Sequence, residues 1–363
     1  MEKFIPMVAL HKPRLLTGDT PTGRLHLGHW IGTLQSRIAL QDTHSSYILI
    51  ADLHALTTYP ENAHCLKDKI FEMVLDYLAA GIDPQKTAIF IQSEIPAIAE
   101  LTYLLSMLLP YSRVLRNPTL KEEIQFKNLG DHYSFGFLLY PVGQVADILA
   151  FRPERVPVGA DQIPHLEMTK EVARRFNQMY CGVDPHAPDE KSIELGGLFS
   201  ILPQEPSIAQ RLVGIGPPNA SGTLPKMSKS LNNAIFLSDT PEIIKKKVMG
   251  MYTDPNRIRV TDCGAIKNNP LWDLHDAFNP DSQWVAKAKA LYQTGQISDV
   301  ECKKKLIDVL VTFTEPMREQ RAQYANHPKA VWSMIKEGTA KANQVAQETL
   351  MQVKSKMHLN YFR

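Results

Sequence analysis

Residues 14–29 read RLLTGDTPTGRLHLGH, and this stretch decides the fold of the first half of the chain. A short predicted strand runs from Arg14 to Gly18, a turn rich in Gly, Pro and Thr follows, and a helix begins near His29. A strand, a turn and a helix in this order open a unit of two parallel strands joined by a helix. The turn therefore lies where open parallel sheets bind their ligands.

Two further apolar runs extend the same pattern. SYILIAD (46–52) and TAIFIQ (87–92) are predicted strands, and the apolar spacing between them predicts a helix over 64–80 that Gly81 closes. Strands that are apolar on both faces and alternate with helices are typical of a parallel sheet covered by helices. The sequence therefore predicts an α/β fold with a Rossmann-like parallel sheet.

The middle of the chain, residues 97–151, is predicted to be mostly helical, with loops around Asn117 and Gly130. RVPVGAD (155–161) predicts a return to strand, and a helix directly after it. The Pro- and Gly-rich residues 214–225 predict a mobile loop.

Helical patterns dominate from Pro241 onward, and this is the predicted domain boundary. We expect a Rossmann-like catalytic domain with a helical insertion over 1–241 and an α-helical C-terminal domain over 242–363. The first part holds 21 Lys and Arg against 25 Asp and Glu, and the second holds 19 against 13. The near-neutral total of 40 against 38 conceals a basic C-terminal region that suits a polyanionic partner, although an ordinary solvated helix face would give the same count.

Composition limits the class of protein. A chain of 363 residues that is 44% hydrophobic can bury a large core, which excludes a disordered chain and a disulfide mini-protein. The four cysteines form no C-x-x-C pair, so neither a disulfide framework nor a thiolate zinc site is predicted. No stretch approaches the ~20 apolar residues of a membrane span, and the first residues lack a signal-peptide core. We expect a cytoplasmic enzyme with no membrane contact.

His26 and His29 lie three positions apart in HLGH, at the start of the first predicted helix. Small residues in the preceding turn let the backbone approach a bulky ligand, and the start of a helix offers free N–H groups to an anion. We expect Gly28, between the histidines, to leave room for a planar base or a ribose. A histidine pair is often incidental, but its position after the first strand favours a ligand site.

KMSKS (226–230) follows the Pro- and Gly-rich loop. Lys226 and Lys229 on a mobile loop can close over a polyphosphate and neutralise the charge that grows on a leaving pyrophosphate. A solvated charge cluster is the alternative for the pentapeptide alone. HLGH and KMSKS in one chain are far more specific than either motif alone and predict a nucleotide site.

HLGH and KMSKS together are the signature pair of class I aminoacyl-tRNA synthetases, which this chain resembles over nearly its whole length. TGDTPTGRLHLGHWIG, IADLHALT, FIQSEIP, LLYPVGQVADILAF, VPVGADQ and KMSKSLNNAI are similar to stretches of the bacterial-type tryptophanyl-tRNA synthetases. The resemblance implies that four residues are catalytic: His26, His29, Lys226 and Lys229. It also implies contacts with ATP for Thr20, Gly28, Asp161, Lys226, Met227, Ser228, Lys229 and Ser230.

The resemblance places the amino-acid pocket on the helix that carries Tyr140, Gln144 and Asp147, whose spacing puts them on one helical face. Tyr140 and Gln144 are implied to approach the α-ammonium group, and Asp147 the polar tip of the side chain. An indole N–H only donates and an ionised carboxylate only accepts, so this pairing is chemically sound. Gln162 is implied to face the carboxylate or amino group, and His54 the indole, although a lone histidine is equally often structural.

Asp161 follows a predicted strand and precedes a predicted helix, at the kind of edge where open α/β sheets bind ligands. The resemblance implies that its carboxylate accepts both ribose hydroxyls of ATP. An N-cap for the following helix is the alternative, and both roles can coexist.

Tyrosyl-tRNA synthetases share the architecture, and a phenol can also donate to Asp147. Bacterial tyrosine enzymes usually carry a tyrosine at the position of Leu16 and tend to carry Asp at the position of Thr20. A site without the second phenol partner leaves a tyrosine hydroxyl half satisfied, whereas an indole N–H needs one acceptor. We therefore prefer tryptophan, with tyrosine as the alternative. Gln144 departs from the Met of many tryptophan enzymes and is interpreted as a variant.

The expected reaction joins tryptophan to the 3′ end of tRNA(Trp) through a tryptophanyl-adenylate. ATP is a substrate, Mg²⁺ is expected on its phosphates and on water, and no protein metal ligands are predicted. The resemblance implies that the basic C-terminal region binds the anticodon and that the protein is a homodimer. Alternatives from other classes are a small-molecule adenylyltransferase, which would not need the C-terminal region, and an inactive RNA-binding relative, which the intact motifs disfavour.

Overall fold

The structure, a computed structural model, describes residues 12–126, 129–130, 132–201 and 211–362. Its centre is a parallel sheet of three strands in the order β1 (Arg14–Asp19), β2 (Ser45–Ile50) and β3 (Thr87–Ile91). Leu16 pairs with Tyr47 on β2, and Ile48 of β2 pairs with Ile89 on β3. These are the three strands that the apolar runs predict, so the Rossmann-like α/β interpretation is confirmed.

Helical crossovers connect the strands. Between β1 and β2 lie α1 (Leu27–His29), a π-helical turn (Trp30–Leu34) and α2 (Gln35–Leu40). Between β2 and β3 lie α3 (Asp52–Thr58), a 3-10 turn (Pro60–Cys65) and α4 (Leu66–Ala80). Gly81 ends α4 with φ of 109°, a left-handed conformation that glycine adopts without a steric penalty. The helix begins at Leu66, two residues after the predicted start at 64.

A helical layer follows β3, as predicted. Its members are α5 (Pro96–Ser106), α6 (Tyr111–Leu115), α7 (Pro118–Phe126), α8 (Phe135–Phe151) and α9 (Ile163–Cys181). Ser134 caps α8 by accepting a hydrogen bond from the Phe137 N–H at 3.0 Å. This cap fixes the start of α8, the helix of the predicted amino-acid pocket, which also contacts β1.

The strand predicted at 155–161 is wrong. This segment makes one isolated parallel bridge, between Arg155 and Leu15, and the Leu16 N–H donates to the Arg155 carbonyl at 3.1 Å. Pro153 and Pro157 lack backbone N–H groups, so the segment cannot extend a ladder along β1. The apolar pattern correctly predicts proximity to the sheet, but it does not take account of the missing donors.

Helices dominate after the signature loop, as predicted. They are α10 (Pro241–Met249), α11 (Pro270–Phe278), α12 (Ser282–Gln293), α13 (Asp299–Ala325) and α14 (Pro328–Lys356). None of the helices in the described part of the chain is long and apolar enough to cross a membrane.

The sheet separates two apolar cores. Ile48, Ile50 and Ile89 point into one core, which α4 and α13 cover, whereas Leu49 and Phe90 point into the other, which α5, α8 and α9 cover. The alternation follows from the two-residue period of a strand. Residues from both sides of the predicted boundary at 241 contribute to each core; of the C-terminal helices, α14 packs on β3 and α13 packs on α4.

The last helix lies against the edge strand. A Cβ atom at Gly338 of α14 would lie only 2.2 Å from the Ile89 carbonyl oxygen of β3. Glycine therefore permits a close approach of helix and strand backbones, and α14 covers the edge of β3.

Candidate active site

The two histidines of HLGH form a hydrogen-bonded pair at the start of α1. The His26 backbone N–H donates to His29 Nδ1 at 3.1 Å, and the Gly28 N–H donates to His26 Nδ1 at 3.1 Å. The ring centroids lie 3.8 Å apart. Because each Nδ1 accepts a hydrogen bond, each neutral ring carries its proton on Nε2. The pair therefore offers two Nε2–H donors to a ligand.

Both rings are neutral at neutral pH. The pKa of His26 is lowered to about 2, mainly by burial, and the electrostatic effects of His29, Lys229 and Lys226 act in the same direction. Burial likewise lowers the pKa of His29 to about 4, although the nearby Asp19 carboxylate opposes this shift. The histidines thus act as hydrogen-bond donors, and the cations at the site are the lysines.

Gly28 brings the first motif and the signature loop together. A Cβ atom at this position would lie 2.9 Å from the His26 ring and 3.3 Å from the Cβ of Met227. His26 and Met227 therefore fill the space beside Gly28. The room that we expected there for a base or a ribose is not found in this structure. Met227 is buried in the core below the loop.

The signature loop closes over the turn that precedes HLGH. Lys229 Nζ donates to the Thr22 carbonyl at 2.9 Å, to Thr22 Oγ1 at 2.8 Å and to the Gly23 carbonyl at 3.1 Å. Burial lowers the pKa of Lys229 to about 8, so its ammonium remains mostly charged at neutral pH. The Lys226 side chain is exposed. Both lysines act electrostatically on His26, so both lie near the histidine pair.

The signature loop has contacts within itself, and the residues that follow it contact the first motif. The hydroxyls of Ser228 and Ser230 lie 2.9 Å apart. The segment after the loop runs antiparallel to the first motif, with the Leu27 N–H donating to the Ile235 carbonyl at 2.9 Å. KMSKS and HLGH, about 200 positions apart in the chain, therefore belong to one structural unit.

A buried ion pair supports the turn, and the sequence analysis missed it. Arg37 Nη1 and the Tyr77 hydroxyl both donate to Asp19 Oδ2 at 2.5 Å. Burial acts to raise the pKa of Asp19, but the charge and hydrogen bonds of its partners hold it at about 2. Thr20 follows directly at the end of β1. The signal available in the sequence was a carboxylate at the end of the first strand, where ligand sites are built.

The predicted residues of the amino-acid pocket lie on α8. Tyr140 and Asp147 are buried, at 5% and 8% exposure, and Gln144 is half-buried. Gln144 Nε2 donates to Gln162 Oε1 at 3.1 Å. Gln144 therefore faces the segment that precedes α9.

Asp147 is held by a glutamine that follows β3. Gln92 Nε2 lies 2.9 Å from each carboxylate oxygen of Asp147. Burial raises the pKa of Asp147 to about 7; the Gln92 hydrogen bond opposes the shift and the charge of Asp52 adds to it. Asp52, after β2, accepts from the Ser93 N–H at 3.0 Å. Gln92, Asp52 and Ser93 are missed by the sequence analysis, although they sit in the quoted motifs IADLHALT and FIQSEIP.

Aromatic rings surround the Tyr140 side chain. His54 of α3 packs edge-on at 4.6 Å between ring centroids, and His165 of α9 lies at 5.4 Å. The Tyr140 hydroxyl is buried and makes no hydrogen bond to any described residue. Burial raises its pKa. A buried hydroxyl without a partner costs free energy, so a ligand that bonds to it would remove this cost.

Asp161 lies in a 3-10 turn (Ala160–Gln162) and is exposed. Its carboxylate accepts from Gln162 Nε2 at 2.9 Å, and its carbonyl accepts from the Thr119 hydroxyl at 2.7 Å. The N-cap of α9 is Gln162, without a side-chain capping bond, so the capping alternative for Asp161 is not found. The carboxylate therefore retains acceptor capacity toward solvent.

The predicted residues thus form two groups at the carboxyl edge of the sheet. We call His26, His29, Lys226 and Lys229 the phosphate side. The amino-acid side consists of Tyr140, Gln144, Asp147, Gln162 and His54, joined by Gln92. In the described part of the chain no group of three or more His, Cys, Asp or Glu side chains could hold a metal ion.

The sequence matches a known family over most of its length. Residues 9–315 match the family described as tRNA synthetases class I (W and Y). A tryptophan–tRNA ligase of Lactococcus lactis subsp. lactis is 44% identical over 356 residues, which cover 97% of this chain and 99% of that protein. One of Streptococcus agalactiae is 43% identical over 357 residues, with the same two shares covered.

Solved structures give the same result for the fold. A tryptophanyl-tRNA synthetase from Campylobacter jejuni in complex with ADP and tryptophan superposes with a TM-score of 0.77 at 25% identity, covering 95% of this chain and 99% of that one. The signature motifs, the Rossmann-like sheet and the near-full-length match agree. The chain therefore belongs to the class I tRNA synthetases, in the family of the tryptophan and tyrosine enzymes.

Proposed function

We propose that this chain is a tryptophan–tRNA ligase, which activates tryptophan with ATP and transfers it to the 3′ end of tRNA(Trp). The observation that carries the proposal is the 44% identity to the Lactococcus lactis tryptophan–tRNA ligase over 97% of this chain. Two features of the site support it: the buried Asp147 carboxylate on α8, and the neutral histidines of HLGH with Lys229 bound to the turn before them.

The first step is attack of the tryptophan carboxylate on the α-phosphate of ATP, which releases pyrophosphate. The carboxylate is already ionised, so the protein needs no nucleophile of its own and acts by positioning and charge stabilisation. The Nε2–H groups of His26 and His29 donate to phosphate oxygens. Lys229 leaves its carbonyl partners in the Thr22 turn for the pyrophosphate, which Lys226 approaches from the exposed side of the loop.

On the amino-acid side, Asp147 accepts the indole N–H. Its orientation is set by Gln92, and its pKa of about 7 means that the accepting, ionised form gains population as pH rises above neutrality. The Tyr140 hydroxyl gains its missing partner in the α-ammonium group, with Gln144 and Gln162 beside it. His54 packs next to the indole.

Tryptophan fits this pocket better than tyrosine does. Leu16 lies at the position where bacterial tyrosine enzymes usually carry a second phenol partner, and its side chain is 4% exposed and apolar. A tyrosine hydroxyl, which both donates and accepts, would find only half of its hydrogen bonds there. A small-molecule adenylyltransferase is not favoured, because the family match and the relatives extend through the C-terminal helices.

ATP would bind along the edge between the two sides. Asp161 accepts its ribose hydroxyls, and Thr20 and the backbone of KMSKS lie beside the nucleotide. Mg²⁺ would enter with ATP, held by phosphate oxygens and water, because the described residues offer no carboxylate cluster for it. No step in the proposal depends on a protein-bound metal.

The ribose 2′-hydroxyl of the tRNA then attacks the activated carbonyl, which forms the ester and releases AMP. The C-terminal region, with 19 Lys and Arg against 13 Asp and Glu over residues 242–363, supplies positive charge for the tRNA backbone. The proposal includes anticodon binding by this region, a homodimer and a cytoplasmic location, all carried over from the family resemblance.

Charging of total tRNA with labelled tryptophan or tyrosine tests the proposal. We expect tryptophanyl-tRNA to form, and tryptophan to drive exchange of labelled pyrophosphate into ATP. Exchange with tyrosine alone would refute the tryptophan specificity. Pyrophosphate exchange without any tRNA charging would instead favour the adenylyltransferase alternative, and the absence of both would favour an inactive RNA-binding relative.

A further inference from the structure

A buried asparagine outside the five signature residues holds the backbone of the signature loop. Asn233 is 3% exposed. Its Nδ2 donates to the Lys226 carbonyl at 3.2 Å, and its Oδ1 accepts from the Ser228 N–H at 2.7 Å. Its own carbonyl accepts from the Ile215 N–H at 2.9 Å. Asn233 thus bonds to both flanks of Met227 through its side chain and to the segment before the loop through its backbone carbonyl.

The site of this amide is shaped by a glycine. A Cβ atom at Gly214 would lie 2.1 Å from Asn233 Nδ2, a distance that no side chain tolerates. The backbone of Gly214 is itself fixed, because its N–H donates to the Pro225 carbonyl at 3.0 Å. At Gly216 the corresponding Cβ would lie 3.6 Å from the Cβ of Asn233, which is an ordinary contact. Gly214 therefore provides the space that the Asn233 amide needs.

The anchored backbone directs the loop toward the histidines. Met227, between the two bonds, is buried, and its N–H donates to the Leu212 carbonyl at 3.0 Å. With the chain fixed at 226 and 228, the side chain of Lys229 reaches the turn carbonyls at Thr22. The direction of the two lysines is thus set by the backbone, and the backbone is set by Asn233.

We propose that Asn233 is a positioning residue for adenylate formation, which holds the signature loop so that Lys226 and Lys229 face the phosphates. Gly214 serves the same role by leaving space for the amide. The inference rests on the proposed function, and it deepens that function by adding two residues that touch no substrate.

The test compares Asn233→Ala and Gly214→Ala with the wild-type chain in tryptophan-dependent pyrophosphate exchange. Gly216→Ala is the matched control for the added methyl group. We expect kcat per active site, counted by adenylate formation, to fall about 10- to 100-fold in both test variants, with KM for tryptophan changed less than about twofold. Gly216→Ala is expected to keep wild-type values.

A second comparison separates positioning from general stability. If Asn233 acts through the lysines, Asn233→Ala should lower kcat by less than about threefold in a Lys229→Ala background, because interactions that act as a unit are not additive. An equal factor in both backgrounds would overturn the proposal. A lowered melting temperature with unchanged kcat would also overturn it, because it would reduce Asn233 to a structural role.

Hydrogen exchange of residues 226–230 gives a readout that needs no activity. We expect faster amide exchange in Asn233→Ala and Gly214→Ala than in Gly216→Ala and the wild type. Unchanged exchange in the test variants would refute the anchoring on its own. A wild-type chain without pyrophosphate exchange would refute the proposed function, whereas the amide rates would still measure whether Asn233 holds the loop.

Discussion

The amino-acid side and the phosphate side of the site are built in different ways. On the amino-acid side, buried side chains hold each other: Gln92 fixes Asp147, and rings pack around Tyr140. On the phosphate side, backbone groups do most of the holding, because Gly28 and His26 bond within one turn and Lys229 rests on carbonyls of Thr22 and Gly23.

The difference agrees with what the proposed function requires each side to recognise. A neutral indole is distinguished by one hydrogen bond in an apolar, rigid pocket, where an unpaired polar group is costly. A polyphosphate changes its charge distribution during the reaction, so cations that can exchange partners serve it better than fixed ones. We therefore expect changes on the phosphate side to alter rates, and changes on the amino-acid side to alter selectivity.

Removal of the Lys229 ammonium should give the largest effect. For Lys229→Ala we expect kcat of pyrophosphate exchange to fall about 10²- to 10³-fold, because the contact strengthens as charge moves onto the leaving group. KM for tryptophan should stay nearly constant. Steady-state exchange kinetics measure both constants. Lys287→Ala, an exposed lysine on α12, is the control, and an unchanged rate in Lys229→Ala would remove this residue from the mechanism.

The histidine pair should make stability depend on pH. The pKa of His29 is lowered to about 4 in the folded chain, against 6.5 ordinarily, so the unfolded chain takes up the proton first as pH falls. Stability from the buried neutral ring is therefore lost as pH falls from about 6.5 toward 4. We expect wild type to lose about 2 kcal/mol more than His29→Gln between pH 7 and pH 5.

Denaturant unfolding of both chains at the two pH values measures this difference. His132→Gln, which changes an exposed histidine, is the control and should follow the wild-type curve. Identical pH slopes for wild type and His29→Gln would show that the ring is not held neutral by burial.

Loss of the buried carboxylate should affect selectivity more than rate. For Asp147→Ala we expect the preference for tryptophan over phenylalanine, measured as a ratio of kcat/KM in pyrophosphate exchange, to fall about 10²-fold. The comparison belongs at pH 8, above the Asp147 pKa of about 7, where the ionised acceptor predominates. Retained discrimination would show that the indole N–H is read by another group.

The smallest expected effect comes from the residue that orients this carboxylate. Gln92→Ala should raise KM for tryptophan about tenfold with a small change in kcat, because a misplaced acceptor weakens one hydrogen bond. Gln85→Ala, an exposed glutamine at the opposite end of β3, is the control. A KM equal to that of wild type would show that Asp147 is positioned without Gln92.

Much of the fold was predictable because its signals are local. Apolar runs predict β1, β2 and β3, and the left-handed conformation of Gly81 ends α4 where the sequence places a stop. The strand predicted at 155–161 was wrong for a local reason as well, because Pro157, like Pro153 just before the segment, lacks the N–H donor that a ladder needs. The apolar pattern favours a strand in that segment, but a proline cannot donate the next hydrogen bond of the ladder, so no strand forms.

The candidate site was predictable where its chemistry is concentrated in one motif. His26, His29 and the two lysines are named by HLGH and KMSKS themselves. Gln92, Asp52 and Arg37 were missed, because a single amide, carboxylate or guanidinium after a strand or on a helix is common in any sequence. Their partners, Asp147, Ser93 and Asp19, lie 55, 41 and 18 positions away in the chain.

The sequence by itself determined the family, the parallel sheet and the residues proposed to bind the phosphates, because each is encoded in a short stretch with its own chemistry. Only the tertiary structure decided which tautomer the histidines adopt, how Asp147 is held and what anchors the signature loop. These depend on contacts such as Asn233 with Lys226 and Gly28 with Met227. Hydrogen bonds and close approaches of this kind form between segments that folding brings together, and no local pattern records them.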